Sequence, residues 1–271
     1  MPLSHIEHVL TVAGSDSGGG AGIQADLKTF AAFGVYGASA ITAITAQNTR
    51  GIEAVVELAP SIVAAQIDAV INDIGADSTK TGMLANAPII QTVAASVRRH
   101  KLINLIVDPV MVAKSGDQLL HQPAIEALRF ELLPLALVVT PNIPEAEAIL
   151  GKPIRSINDM RQAAEAIAKF GPKNVVLKGG HLKDDATDVL WDGTEFHEFG
   201  AKKIITANTH GTGCTFASAI AALIAKGYSV AEAVAKAKDY VTQALKSSFA
   251  IGEGHSPVHH FYQLWNGQAS K

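Results

Sequence analysis

The sequence predicts an α/β fold: a mostly parallel sheet covered by helices on both faces, with antiparallel strands added at one edge. Three observations predict it. Short apolar runs alternate with longer helix-period segments almost from end to end, the mark of repeated strand–helix units. Between Ala186 and Thr206 the period becomes strand-like around the turns Asp192-Gly193 and Gly200, which reads as hairpins. No shift in composition and no Pro/Gly/Ser linker divides the 271 residues, so one domain spanning 1–271 is expected.

The elements follow in order. His8 to Ala13 (HVLTVA) reads as a buried strand, followed by a glycine cluster and a helix from about Gly22 to Phe33. Ala38 to Ala46 is β-branched at alternate places and reads as a strand, and Ile52 to Leu58 as a short strand outside the main sheet. Ser61 to Ile74 is helical, Asp77 to Gly82 a brief strand, Ala87 to His100 a helix, and Ile103 to Val107 a strand. Then come a helix over Gln122 to Leu132, a strand over Ala136 to Thr140, and a short helix over Pro144 to Leu150 stopped by Gly151. Ile157 to Phe170 is helical and Asn174 to Lys178 a strand. After the hairpin region, Gly213 to Lys226 and Val230 to Ser247 close the fold as helices, before a polar tail with Phe261, Tyr262 and Trp265.

Charge and composition narrow the partners. Lys and Arg total 22 against 25 Asp and Glu, a formal charge of -3, and no basic block exists, so nucleic acid is not an expected partner. Met1 to His8 is short and polar, and no uncharged apolar stretch is long enough to cross a bilayer; no membrane association is expected. The single cysteine excludes an intrachain disulfide framework, and the cytoplasm is the expected compartment.

In parallel sheets ligands bind beyond the carboxyl ends of the strands. The first strand runs into Gly14-Ser15-Asp16-Ser17-Gly18-Gly19-Gly20-Ala21-Gly22, which lacks the Gly-Lys-Ser/Thr of a P-loop. Gly20 to Ala25 formally matches a dinucleotide fingerprint, yet no acidic residue lies between Asp26 and Glu53 to hold a ribose. Small residues beside Asp16 and Asp26 instead suggest one wall of a substrate pocket. Gln47 ends the second strand, and its carboxamide suits either a ligand with an adjacent donor and acceptor, such as an aminopyrimidine edge, or a turn. Asp108, Asn142 and Glu145 end or follow later strands; they suit Mg2+ and phosphate, or else helix capping by Asn142 and Glu145. Lys178 ends another strand, where an ammonium can meet phosphate charge.

The only cysteine, Cys214, follows Gly211-Thr212-Gly213 at a helix start. Free backbone N–H groups there form an anion site, and a thiol in such a place is expected below its usual pKa of about 8.5. The same N–H groups suit charge developing on a transferring phosphoryl group. The alternative is a cysteine buried as a small hydrophobe.

The segments AGSDSGGGAGIQADLKTFAAFGVYGASAITAITAQNT, KTGML, DPVMVAKSG, TPNIPEAEAILG, VVLKGGH and HGTGC occur in this order over nearly the whole chain. Together they closely resemble the hydroxymethylpyrimidine/phosphomethylpyrimidine kinases of thiamine biosynthesis, in the ribokinase-like superfamily. The resemblance implies a three-layer α/β/α sandwich, usually a homodimer, and two successive ATP-dependent phosphorylations, of the hydroxymethyl group and then of the monophosphate. It implies Cys214 as catalytic base with Gly211, Thr212 and Gly213 as anion hole, and Gln47 as the pyrimidine-binding residue. It further implies Gly14, Asp26, Met83 and Val110 as pocket positions, and Asp108, Asn142, Glu145 and Lys178 as the region handling Mg-ATP, with Asp108 and Glu145 toward the metal. Some relatives phosphorylate pyridoxal, and these motifs do not separate the two specificities. A thiol hydrolase pairing Cys214 with His210 is disfavoured, because the two residues are not expected to face each other at the start of one helix. A non-catalytic vitamin or nucleotide sensor is disfavoured by the coordinated polar set at the strand ends. A zinc enzyme lacks any Cys/His pair with ligand spacing.

Overall fold

A computed structural model describes residues 5–111, 121–180 and 186–265. Residues 112–116 of the DPVMVAKSG segment and His181 lie outside them, as do residues 1–4 of the N-terminal stretch. The strands are β1 (His8–Asp16), β2 (Tyr36–Gln47), β3 (Ile52–Glu57), β4 (Ser78–Thr81), β5 (Leu105–Val107), β6 (Val138–Val139), β7 (Asn174–Leu177), β8 (Asp188–Trp191) and β9 (Phe196–Phe199). They form one nine-stranded sheet in the order β3-β2-β1-β4-β5-β6-β7-β8-β9. The six strands from β2 through β7 in that order are parallel, whereas β3, β8 and β9 join through antiparallel pairs at the two edges.

The helices are α1 (Gly22–Ala32), α2 (Pro60–Asp73), α3 (Ala87–His100), α4 (Gln122–Ala127), α5 (Ile143–Leu150), α6 (Ile157–Ala168), α7 (Thr212–Ala225) and α8 (Val230–Lys246). Two apolar cores sandwich the sheet. One includes residues of α2 to α6, the other residues of α1, α7 and α8. Successive strand residues point to opposite cores: Leu105 and Val107 to the first and Ile106 to the second, Val175 and Leu177 to the first and Val176 to the second. Both faces are therefore dry, which is why these strands read as unbroken apolar runs. In α7 every residue from Thr215 to Ile224 is buried, and its alanines let it pack closely between sheet, α1 and α8.

Four expectations need correction. Ile52–Glu57 belongs to the main sheet, as an edge strand antiparallel to β2. Antiparallel strands thus occupy both edges. The helix beginning at Gln122 is regular only to Ala127; a π-helical turn (Leu128–Leu132) and a 3-10 turn (Leu133–Leu135) complete it around Pro134. The hairpin region holds one hairpin, β8–β9; beyond Gly200 only the paired bonds between Ala186 and Ala201 continue it. β1 runs on to Asp16, with its register against β2 slipping around Gly14. No helix of the described residues is long and apolar enough to cross a membrane.

Because β1 lies between β2 and β4, the chain leaves β1 in one direction and later returns past it in the other. In such sheets ligands enter the crevice at the carboxyl ends of the strands around that reversal, and a small cavity beyond β2 is lined there by Gln47, His210 and His255.

Candidate active site

Asp16 organises one wall. Its carboxylate accepts from the N–H groups of Gly18 (2.8 Å), Gly20 (3.1 Å) and Ala21 (2.8 Å), folding the glycine loop around the end of β1. His210 Nε2 lies 2.9 Å from Asp16 Oδ2. Burial works against ionisation of Asp16, yet the bonds from His210, Ala21 and Gly18 hold its carboxyl below the ordinary value. The glycines have a steric reason. A Cβ on Gly20 would lie 2.4 Å from His210 Cδ2, and one on Gly211, where φ is +76°, would lie 1.8 Å from Gly20 O. The glycine loop and the Gly211 turn are thus fitted backbone to backbone.

Gly211 is the N-cap of α7 and no side chain caps the helix, so N–H groups at its start face the crevice end of the sheet. Thr212 turns inward on itself, its Oγ1 donating to Thr209 O at 2.6 Å. A Cβ on Gly213 would sit 3.3 Å from Lys178 Nζ and 3.7 Å from Asp108 Oδ2. The helix start, an ammonium and a carboxylate therefore share one small space, as a phosphate cradle requires. Cys214 is half-buried beside it. Its thiol departs from expectation: burial pushes it up to about 11, and Asp26 and Asp108 add to the rise against the lowering by Lys80 and the Gly22 N–H. The helix N-terminus favours a thiolate, but desolvation outweighs it here. The resting group is a thiol.

Opposite lies the acidic set. Lys178 Nζ is 2.9 Å from Asp108 Oδ1, and Thr140 Oγ1 donates to the same oxygen at 3.1 Å. Burial disfavours the Lys178 charge, but Asp108 and Glu145 outweigh it and raise the ammonium above its ordinary value. Lys178 N–H donates to Pro141 O at 2.9 Å, carrying the β6–β7 pairing out to the crevice. Asn142 and Glu145 form a capping box on α5: Asn142 Oδ1 accepts from Glu145 N at 2.9 Å, and Glu145 Oε2 from Asn142 N at 2.8 Å. Capping and site location thus coincide. Burial raises the Glu145 carboxyl to about 7, with Asp108 adding to the rise and Lys178 opposing it. Two adjoining carboxyl groups with hard oxygen donors, only partly offset by Lys178, fit a divalent cation such as Mg2+.

The remaining residues divide. Gly14 packs against Met83, for a Cβ there would meet Met83 Cε at 2.4 Å. Half-buried Val110 follows Asp108 and donates its N–H to Asp108 O at 2.9 Å. Gln47 is half-buried, its carboxamide flanked by Thr45 Oγ1 at 3.1 Å and His210 Nε2 at 3.4 Å. Asp26 does not line the pocket. It is completely buried, and its two oxygens take Lys80 Nζ at 2.9 Å each, Thr11 Oγ1 at 2.6 Å and Ser218 Oγ at 2.6 Å. With four contacts from three donors it has no capacity left for a ligand. Its place is beneath the crevice.

Sequence reasoning missed Lys80, and gave His210 only the role of a discarded partner for Cys214. Lys80 is wholly buried, and its charge acts on Cys214 and Asp108 as well as Asp26. Burial disfavours that charge, but these neighbours prevail and raise it. A signal was available: a lysine in the middle of a strand expected to be buried on both faces needs a buried counter-charge. His210 instead pairs with Asp16 at 2.9 Å and stands 3.4 Å from the Gln47 carboxamide.

A model of the phosphomethylpyrimidine kinase family matches residues 16–259. The chain is 52% identical over 260 residues to the hydroxymethylpyrimidine/phosphomethylpyrimidine kinase of Rhizobium meliloti, covering 94% of this chain and 97% of that one. It is also 52% identical to the thiamine biosynthesis bifunctional protein ThiED of Geobacter sulfurreducens, covering 93% of this chain but only 52% of that longer protein. Among solved structures, the ADP complex of Bacillus subtilis pyridoxal kinase superposes with a TM-score of 0.88 at 40% identity, covering 94% of this chain and 98% of that one. The three-layer sandwich is thus the ribokinase-like fold. With a family match over most of its length and a full-length relative at this identity, the chain belongs to the phosphomethylpyrimidine kinase family.

Proposed function

We propose that this chain, working as one kinase domain, transfers the γ-phosphoryl group of ATP to 4-amino-5-hydroxymethyl-2-methylpyrimidine, and a second to the resulting monophosphate, in thiamine biosynthesis. The observation that carries the reading is the shared space at the start of α7, where the Gly213 position faces Lys178 and Asp108 beside Cys214. Gln47, at the end of β2, supplies a carboxamide for the aminopyrimidine edge. The names of the Rhizobium and Geobacter relatives support the substrate class.

Phosphoryl transfer passes through a loose transition state, so positioning and charge neutralisation contribute most. Lys178 meets the transferring phosphoryl group, and the N–H groups at the start of α7 stabilise charge on its oxygens. Asp108 and Glu145 are the residues that would hold Mg2+, directly or through water, and the ion supplies further charge neutralisation when bound. Cys214 sits at the reacting hydroxyl. With its thiol raised to about 11, Cys214 at rest carries its proton and orients the hydroxyl; only its minor thiolate form takes the hydroxyl proton, late, when the loose transition state has already formed.

A second reading, phosphorylation of pyridoxal, is favoured by the likeness to the pyridoxal kinase of Bacillus subtilis. For assembly we favour a homodimer, supported by exposed apolar side chains on adjoining strands: Ile44 of β2 with Val55 and Val56 of the edge strand β3. The cytoplasm suits an ATP-consuming reaction and a free thiol. Purified protein incubated with Mg-ATP and, separately, the pyrimidine alcohol, its monophosphate and pyridoxal tests the proposal by product mass. Mono- and diphosphorylated pyrimidine support it; product from pyridoxal alone replaces it with the second reading.

A further inference from the structure

Gln47 is constrained at both ends of its carboxamide, and the constraints agree. Amide oxygen and nitrogen are told apart by their hydrogen-bond partners. Thr45, buried at 4% exposure, has one hydroxyl proton, and Ser15 O lies 2.8 Å from its Oγ1. A carbonyl only accepts, so that proton is committed. The structure sets Gln47 Oε1 toward Thr45 Oγ1 at 3.1 Å and Nε2 toward His210; with the hydroxyl proton committed to Ser15 O, the Thr45 contact calls instead for the amide N–H. At the other end, His210 Nε2 lies 2.9 Å from the Asp16 carboxylate, which needs a donor, so Nε2 carries a proton. That proton goes chiefly to Asp16, but a protonated Nε2 has no lone pair for the amide N–H set 3.4 Å from it, so its remaining polarity favours the amide oxygen there. The reverse orientation would set donor against donor at His210 and leave the Thr45 contact without a proton. The orientation with nitrogen toward Thr45 and oxygen toward His210 removes both mismatches.

We propose that the Asp16–His210 pair determines specificity by locking the Gln47 amide, so that its N–H donor and carbonyl acceptor face the ligand ring in one fixed order. The inference rests on the aminopyrimidine reading above. An aminopyrimidine offers an exocyclic N–H beside a ring nitrogen lone pair. Its 4-oxo counterpart has nearly the same shape, but offers a carbonyl beside a ring N–H. A locked amide matches the first and opposes like with like against the second; a freed amide turns over and serves either. His210 is well placed to hold such a lock. Its ring packs so closely on Gly20 that no Cβ fits between them, and its backbone is tied to Ser256 O and Val258 N.

The test compares kcat/KM for the 4-amino and 4-oxo alcohols in the wild type, His210→Leu, His210→Gln and Thr45→Val, with ligand affinity measured by calorimetry. The wild type prefers the 4-amino compound by about 100-fold or more, since a site built around hydrogen bonds strongly rejects a mismatched partner. His210→Leu narrows that ratio by about tenfold, mainly through KM for the 4-amino compound, the scale of one lost buried hydrogen-bond constraint. His210→Gln keeps an N–H toward Asp16 and stays within about threefold of the wild-type ratio. Thr45→Val, nearly isosteric, relaxes the ratio in the same direction and decides the matter if the leucine variant does not fold. Equal losses on both compounds, with the ratio preserved in His210→Leu and Thr45→Val, would overturn the inference and leave His210 a packing residue. Failure of the wild type to phosphorylate the 4-amino alcohol would instead remove the functional reading itself.

Discussion

Glu145 stores a conflict between folding and function. The residue is 5% exposed, beside Asp108, and its carboxyl is raised from 4.5 to about 7. A raised acid favours the fold while protonated: that stability is fully present below about pH 4.5 and is lost as the pH rises through 7. Glu145→Gln can still accept the Asn142 N–H of the capping box but never ionises. It should therefore be more stable than wild type by about 1–3 kcal/mol near pH 8, the gap narrowing toward pH 5, while kinase activity falls. Urea unfolding at the two pH values checks this; equal stability at both would show that the carboxyl is not strained. At this scale the sequence showed where groups lie more readily than their protonation states. Asp108, Asn142, Glu145 and Lys178 were legible because they lie at or just beyond the carboxyl ends of strands, where parallel sheets bind ligands. Cys214 was misjudged because the helix N-terminus was weighed without the burial that disfavours a thiolate there, to which Asp26 and Asp108 add. Asp26 was misplaced because nothing local revealed its pairing with Lys80, 54 positions away.

Two glycines at one helix start serve different ends, and substitution separates them. In α7, Gly211→Ala places a Cβ against Gly20 O at a φ of +76°, so it should destabilise the protein by about 2–4 kcal/mol. Gly213→Ala meets only Lys178 Nζ at 3.3 Å and Asp108 Oδ2 at 3.7 Å, so the fold survives but the methyl intrudes on the cradle. Its kcat should fall by about 100-fold, the scale of losing one oxyanion-type contact, with thermal unfolding near that of wild type. Activity loss in step with stability in both variants would refute the distinction. Helices were legible because caps are local: Asn142, Ser156 and Ser229 each begin a capping box with an acidic residue three positions on. Strand membership was not local. β3 looks isolated in sequence because nearly all its residues are exposed, yet its hydrogen bonds join it to β2.

The whole molecule is tied together beneath the site by a single carboxylate. Asp26 of α1 joins Thr11 of β1, Lys80 of β4 and Ser218 of α7, so the helix carrying Cys214 is anchored to two central strands. Lys80→Met leaves that carboxylate buried without its cation, and should cost about 3–5 kcal/mol by denaturant unfolding; a loss below about 1 kcal/mol would show that the pair is not an anchor. The α/β architecture was legible because both sheet faces are dry and connections alternate, whereas the reversal at β1 that opens the crevice is a property of strand order alone. The central claim is that one crevice holds the pyrimidine on Gln47 and the phosphoryl group on α7 with Cys214 between them. A crystal structure with the pyrimidine alcohol, Mg2+ and a non-hydrolysable ATP analogue tests it most directly. The expected result is the ring edge on Gln47, the terminal phosphate against Gly213 and Lys178, and the hydroxyl within about 3.5 Å of both phosphorus and Sγ. A pyrimidine bound away from Gln47, or a terminal phosphate away from the start of α7, would contradict it.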